Sequence, residues 1–203
     1  MSKIKKIKVA ITGNIGSGKS TFSKFLEDEG FPVIYADDIS KDILVNDSNI
    51  RNAVIKEFGA ESFQGNKINH KYIADIIFSS TKQLKKINSI LHPPVQKKIK
   101  EITEKYFKTN DLVFVETALI YESKIENQFD YVVLITADEN LRKMRSTSTQ
   151  NISEENFIKR NNNQIKQEIK LKKADFVFSN EDSKVDLINK AKLLIKLLEP
   201  LHQ

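Results

Sequence analysis

Gly13-Asn14-Ile15-Gly16-Ser17-Gly18-Lys19-Ser20 follows directly on the apolar run Ile7-Lys8-Val9-Ala10-Ile11. Every fixed position of the pattern Gly-x-x-x-x-Gly-Lys-Ser/Thr is met, and the helix-forming stretch Thr21-Phe22-Ser23-Lys24-Phe25-Leu26-Glu27 comes next. A strand that aims the chain, a glycine-rich turn and a helix N-terminus together make a phosphate site. Glycines let backbone N–H groups wrap a phosphate without Cβ clashes, and the helix end adds positive potential. Asn14, Ile15, Gly16, Ser17, Gly18, Lys19, Ser20 and Thr21 are therefore the candidate nucleotide-binding residues. Lys19 can reach the β- and γ-phosphates of a nucleoside triphosphate, and the Ser20 hydroxyl is the candidate Mg2+ ligand.

Outward from this loop, apolar runs bounded by turn residues predict five strands: Ile7–Thr12, Pro32–Tyr35, Leu112–Glu116, Tyr131–Thr136 and Asp175–Ser179. Amphipathic helical patterns lie between them, including Lys82–Phe107 and a single long run over Glu154–Lys172. Continuous Val/Ile/Phe strands alternating with helices imply a parallel sheet covered on both faces. Ligands of such sheets sit at the carboxyl ends of the strands. That rule points to Asp37 and Asp38 after the second strand, Glu116–Glu122 after the third and Asn180 after the fifth. The stretch from about 47 to 107 is mostly helical and interrupts the alternation. Arg142–Ser153 is polar and reads as a surface loop or a lid that closes over phosphates. Leu91-His92-Pro93-Pro94 reads as a helix-breaking element.

Composition narrows the function. The chain has 203 residues, 39% hydrophobic, enough for one packed α/β domain. It has no cysteine and three scattered histidines, which excludes disulfides, thiolate chemistry and a structural zinc site. No apolar run is long enough to span a membrane, and the basic N-terminus leads straight into the phosphate loop, so a cytoplasmic protein with no membrane partner is expected. The net charge of +6 comes mostly from lysines interleaved with acids along helices, as in Lys97-Lys98, Lys100, Glu101, Glu104 and Lys105. That is a solvated helical face rather than a nucleic-acid surface. All six glycines lie at or before Gly65, so the Asp-x-x-Gly switch of signalling GTPases has no place after the loop.

Phosphoryl transfer is mostly positioning and charge neutralisation, so it needs a carboxylate near the acceptor hydroxyl and cations around the transferring group. Asp37 and Asp38 are the carboxylate candidates: one can cap the next helix while Asp37 orients a hydroxyl. Glu116, at a strand end, either holds the Mg2+ water shell or is simply solvated. Arg142, Arg145, Arg160 and Lys170 are the cation candidates.

Taken in order, these residues resemble the dephospho-CoA kinase family. The resemblance spans nearly the whole chain: Ile11–Thr21, Val33-Ile34-Tyr35-Ala36-Asp37, Phe58-Gly59-Ala60, Leu91-His92-Pro93, Leu119-Ile120-Tyr121-Glu122, Arg160 with Gln164, and Ala174–Asn180. It implies a P-loop NTPase-type α/β fold with a five-stranded parallel sheet, helices on both faces, a helical CoA-side insertion over about 47–107 and a lid over about 139–160, within one kinase domain spanning 1–203. It implies ATP and Mg2+, and transfer of the γ-phosphate to the 3′-hydroxyl of dephospho-CoA, with no obligate protein partner. Asp37 falls on the catalytic aspartate of the family, Arg145 on a lid arginine and Asn180 on the segment near adenine. His70, Lys71, His92, Leu119, Glu122 and Lys170 are the substrate-binding candidates it implies. Four positions depart from the family pattern: Tyr35 stands where an acid is usual, His70 for an arginine, Ala118 for a proline and Thr149 for a second lid arginine. Another P-loop kinase, acting on a nucleoside or nucleoside monophosphate, is the alternative reading.

Overall fold

In the computed structural model, which describes residues 5–65, 67–149 and 152–199, the chain divides into two compact units. One comprises the described residues up to Tyr35 and from Ile102 onward; the other is Ala36–Glu101.

The first unit begins with β1 (Ile7–Thr12), the phosphate loop, α1 (Lys19–Asp28) and β2 (Val33–Tyr35). The second unit contains α2 (Ala36–Asn46), α3 (Ser48–Phe58), the two-residue strands β3 (Phe63–Gln64) and β4 (Lys67–Ile68), α4 (His70–Ser79) and most of α5 (Thr81–Tyr106). The chain then returns with β5 (Leu112–Glu116), β6 (Tyr131–Thr136), α6 (Glu139–Thr149), α7 (Glu154–Asn162), α8 (Gln167–Leu171), β7 (Phe176–Ser179) and α9 (Lys184–Leu198). Five strands form one parallel sheet in the order β2-β5-β1-β6-β7. The central strand β1 lies between β5 and β6, so the strand order turns around at its carboxyl end, where the phosphate loop begins. This is the crevice in which open α/β sheets bind ligands.

Both faces of the sheet are buried. On one, Ile7, Val9 and Ile11 pack with Phe22 and Leu26 of α1 and with Leu187, Ala191, Leu194 and Leu198 of α9. Those four α9 positions follow the helical repeat that places one apolar stripe against a sheet. On the other face, Ala10 and Val132 pack with Ile120, Tyr121 and Ile125. The helical unit has its own core of Val54, Phe58, Phe63, Ile73, Ile87 and Leu91, and α3 starts on an Asp47 side chain that accepts from the backbone N–H groups of Asn49 and Ile50.

Three local expectations are corrected. The run read as one helix over Glu154–Lys172 is two helices, α7 and α8. Between them the Gln164 side chain and both backbone polar groups of Ile165 bond outside the helix, so the helical ladder gives way there. The polar stretch from Arg142 is helical through Thr149, because the Thr147, Ser148 and Thr149 hydroxyls donate to carbonyls of the preceding turn and so satisfy themselves within the helix. Lastly, α5 runs unbroken through Pro93 and Pro94. Ile87 and Leu91, buried in the helical core just before them, hold the helix where local propensity alone would end it.

Candidate active site

The phosphate loop is built by close approach. Ser17 N–H donates to the Asn14 carbonyl to make the turn. Gly16 and Gly18 have positive φ, of 77° and 95°. A Cβ on Gly16 would sit 2.3 Å from the Arg142 carbonyl oxygen, and one on Gly18 would sit 2.1 Å from Asn180 Nδ2. Only glycine fits a left-handed backbone against such neighbours.

The loop is braced from two sides. From the end of β7, buried Asn180 donates its amide to the Ser17 carbonyl at 2.8 Å. From the segment after α7, Gln164 Oε1 accepts from Ile15 N–H at 2.8 Å, and Asn14 Nδ2 donates to the Ile165 carbonyl at 3.2 Å. Arg145 Nη1 donates to the Asn180 carbonyl at 2.7 Å, which places its guanidinium beside the loop. Gly16, Gly18, Lys19, Ser20, Thr21, Arg145 and Asn180 share a cavity of about 360 Å³. Of the other candidate nucleotide residues, Asn14 lines a separate cavity with Arg142 and Gln164, and Ile15 and Ser17 take part through their backbone hydrogen bonds.

Glu116 is the acid that the sequence left with two readings. Its carboxylate is buried, not solvated. Its Oε1 accepts from Ser20 Oγ at 2.9 Å and stands 4.0 Å from Lys19 Nζ. A hydroxyl and a carboxylate beside a lysine are hard oxygen donors in a cationic setting, a donor set that suits Mg2+ with a phosphate. In the adjoining strand, Tyr35 pairs in register with Glu116. Burial, with the Glu27 carboxylate adding to it, pushes the Tyr35 phenol up to about 12, so it stays neutral at physiological pH.

Glu122 and Lys170 come together behind the loop. Lys170 is fully buried and its ammonium lies 3.0 Å from Glu122 Oε1, which also accepts from Ile165 N–H at 2.8 Å. Burial pushes the Lys170 pKa below its ordinary value; the Glu122 carboxylate opposes this, while the nearby charges of Lys19 and Arg142 add to it. Leu119 is half-buried in the loop after β5, and Arg160 is exposed on α7.

The other candidates lie in the helical unit. Asp37 is exposed in the first turn of α2, and its neighbour Asp38 pairs with Lys41 at 2.7 Å. His70 opens α4, its side chain outside the described residues, and Lys71 beside it is exposed. His92 is half-buried in α5, and that burial lowers its pKa. Sequence reasoning missed the place of Arg142, which is buried and donates to the Ile15 carbonyl of the loop. The tolerated burial of an arginine has no signature in a single sequence.

The comparisons with known proteins agree along the length of the chain. The family model for dephospho-CoA kinase matches residues 7–186. A dephospho-CoA kinase of Bacteroides fragilis is 32% identical over 196 residues, 97% of this chain and 95% of the relative. One of Chlamydia felis is 37% identical over 186 residues, 91% of this chain and 92% of the relative. Among solved structures, the dephospho-CoA kinase from Campylobacter jejuni superposes with a TM-score of 0.70 at 28% identity, covering 97% of this chain and 98% of that one. The chain belongs to the dephospho-CoA kinase family.

Proposed function

We propose that this chain transfers the γ-phosphoryl group of ATP to the ribose 3′-hydroxyl of dephospho-CoA with Mg2+ present, completing coenzyme A in the cytoplasm. Dephospho-CoA kinase activity is the function that family membership carries. The observation that supports the chemistry is the Ser20–Glu116 pair beside Lys19 at the mouth of a glycine cradle.

In this reading the backbone N–H groups of the loop hold the β-phosphate, and Lys19 contacts the β- and γ-phosphates. Ser20 and Glu116 hold the metal site. Bound Mg2+ supplies charge neutralisation on the phosphate oxygens. Arg145, already fixed at the loop by the Asn180 carbonyl, stabilises the charge that spreads over the transferring group. Asp37 accepts a hydrogen bond from the 3′-hydroxyl and aims its lone pair in line with the γ-phosphorus. Its exposed carboxylate, in the turn directly after β2, supports that role.

The helical unit, with His70, Lys71 and His92, is assigned to the CoA part of the substrate, together with Leu119. The α6–α7 segment is assigned to the lid. Glu122 and Lys170 support the site as a buried frame, since each already spends its charge on the other.

Asp37→Asn tests the assignment of the base. Turnover should fall by about 10²-fold or more while ATP binding stays within about threefold. Near-normal turnover would remove Asp37 from the mechanism.

A further inference from the structure

We propose that Arg142 is a positioning residue for the nucleotide site: with Gln164 it clamps both backbone polar groups of Ile15, Gln164 holding the 14–15 peptide and Arg142 the 15–16 peptide, which sets the direction of the Gly16 N–H. The Ile15 N–H donates to Gln164 Oε1 at 2.8 Å, and the Ile15 carbonyl accepts from Arg142 Nη1 at 3.2 Å. The peptide between Ile15 and Gly16 is planar and trans, so its C=O and N–H point to opposite sides. Fixing the carbonyl toward Arg142 therefore fixes the Gly16 N–H away from it. Gly16 lines the same cavity as Lys19 and Ser20.

Arg142 is itself held rigidly. Only 3% of it is exposed. Nε donates to the Ala137 carbonyl at 3.2 Å, Nη1 also donates to Asn161 Oδ1 at 2.8 Å, and Nη2 lies 3.6 Å from Glu139. The guanidinium sits over the Phe157 ring, 5.9 Å from its centre. One planar fork thus joins α6, α7, the end of β6 and the phosphate loop. A lysine, whose donors radiate from a single nitrogen, cannot span those acceptors. The backbone of Arg142 adds to the contact, since its carbonyl closes the space beside Gly16.

The consequence concerns ATP and not the acceptor. Releasing the Ile15 carbonyl lets the 15–16 peptide rotate, and releasing the Ile15 N–H frees the 14–15 peptide before it; either way the N–H groups of the loop no longer converge on one phosphate. The inference rests on the reading that the loop binds ATP, and the test separates the two. Mg·ATP binding is measured by calorimetry for the wild type, Arg142→Met, Arg142→Lys and Gln164→Leu, alongside KM for each substrate, kcat and the melting temperature. The expected result is ATP affinity weakened about tenfold in all three variants, the size of one well-made buried hydrogen bond. KM for dephospho-CoA should stay unchanged. Arg142→Met combined with Gln164→Leu should weaken ATP binding no more than either change alone, because both release the same residue.

A purely structural arginine would instead lower the melting temperature and the active fraction, leaving KM for ATP unmoved; that pattern overturns the proposal. If the Arg142 variants fail to fold, Gln164→Leu decides alone, and an ATP affinity within twofold of wild type overturns the clamp. Wild-type protein that fails to bind Mg·ATP would overturn the nucleotide reading itself, and the clamp with it.

Discussion

The Ser20 hydroxyl donates to Glu116 Oε1 across 2.9 Å, joining the first turn of α1 to the last residue of β5. The contact crosses from one parallel strand's loop to the end of the next, which is how the β1–β5 register places the Ser20 hydroxyl against an acid. Glu116→Gln keeps the size and the hydrogen-bond acceptor but removes the charge. The expected outcome is a kcat at least about tenfold lower with a raised Mg2+ requirement, since a neutral amide is a poor partner for a hard cation. Titrating Mg2+ at fixed ATP checks it. An unchanged Mg2+ dependence would return Glu116 to a packing role.

Gly18→Ala is expected to abolish tight ATP binding. The new Cβ meets Asn180 Nδ2 at 2.1 Å on a backbone with φ of 95°. Asn180 must then release the Ser17 carbonyl, and the strained residue alone costs about 1–3 kcal/mol. Gly30→Ala is the control. Its φ is 91° but nothing lies within 4 Å of the added carbon, so it should lose stability by about 1 kcal/mol and keep its ATP affinity. Equal ATP affinities for the two variants would count against the cradle.

Lys170→Met leaves the Glu122 carboxylate without its cation in a site where the ammonium was fully buried. Breaking such a pair costs about 3–5 kcal/mol. Adding Glu122→Gln should recover most of that loss, because two neutral groups replace an uncompensated charge. Urea denaturation of the two variants measures both effects.

His92 gives the helical unit a pH dependence. Burial lowers its pKa in the folded state below the ordinary 6.5. The unfolded chain therefore takes up a proton before the folded one does, and stability falls as the pH drops from about 6.5 through the folded-state value. His92→Gln should flatten this part of the melting-temperature profile. A profile identical to wild type would show that the histidine titrates alike in both states.

Much of the architecture was legible because its signals are local. Strong apolar runs located all five sheet strands, with β1, β5 and β6 placed to the residue. The glycine-rich turn between β1 and α1 followed from its spacing alone. What sequence reasoning missed depends on partners distant along the chain. The break between α7 and α8 exists because Gln164 and Ile165 bond to Ile15, Asn14 and Glu122, and helical periodicity carries no trace of that. The short β3–β4 pair is too brief to show an alternation, and α5 continues through Pro93-Pro94 because buried neighbours hold it. Glu116 had two readings until its Ser20 partner was seen, and Arg142 stood only as one of four cation candidates because arginines on polar helices usually face solvent.

The most direct measurement is Mg·ATP-dependent phosphorylation by the purified protein, with dephospho-CoA, adenosine, AMP, CMP and shikimate offered as parallel acceptors. Rapid ADP release is expected with dephospho-CoA alone, with a product identified as coenzyme A that carries the transferred phosphate on the 3′-oxygen. Transfer to a nucleoside or nucleoside monophosphate in preference to dephospho-CoA would contradict the proposed function.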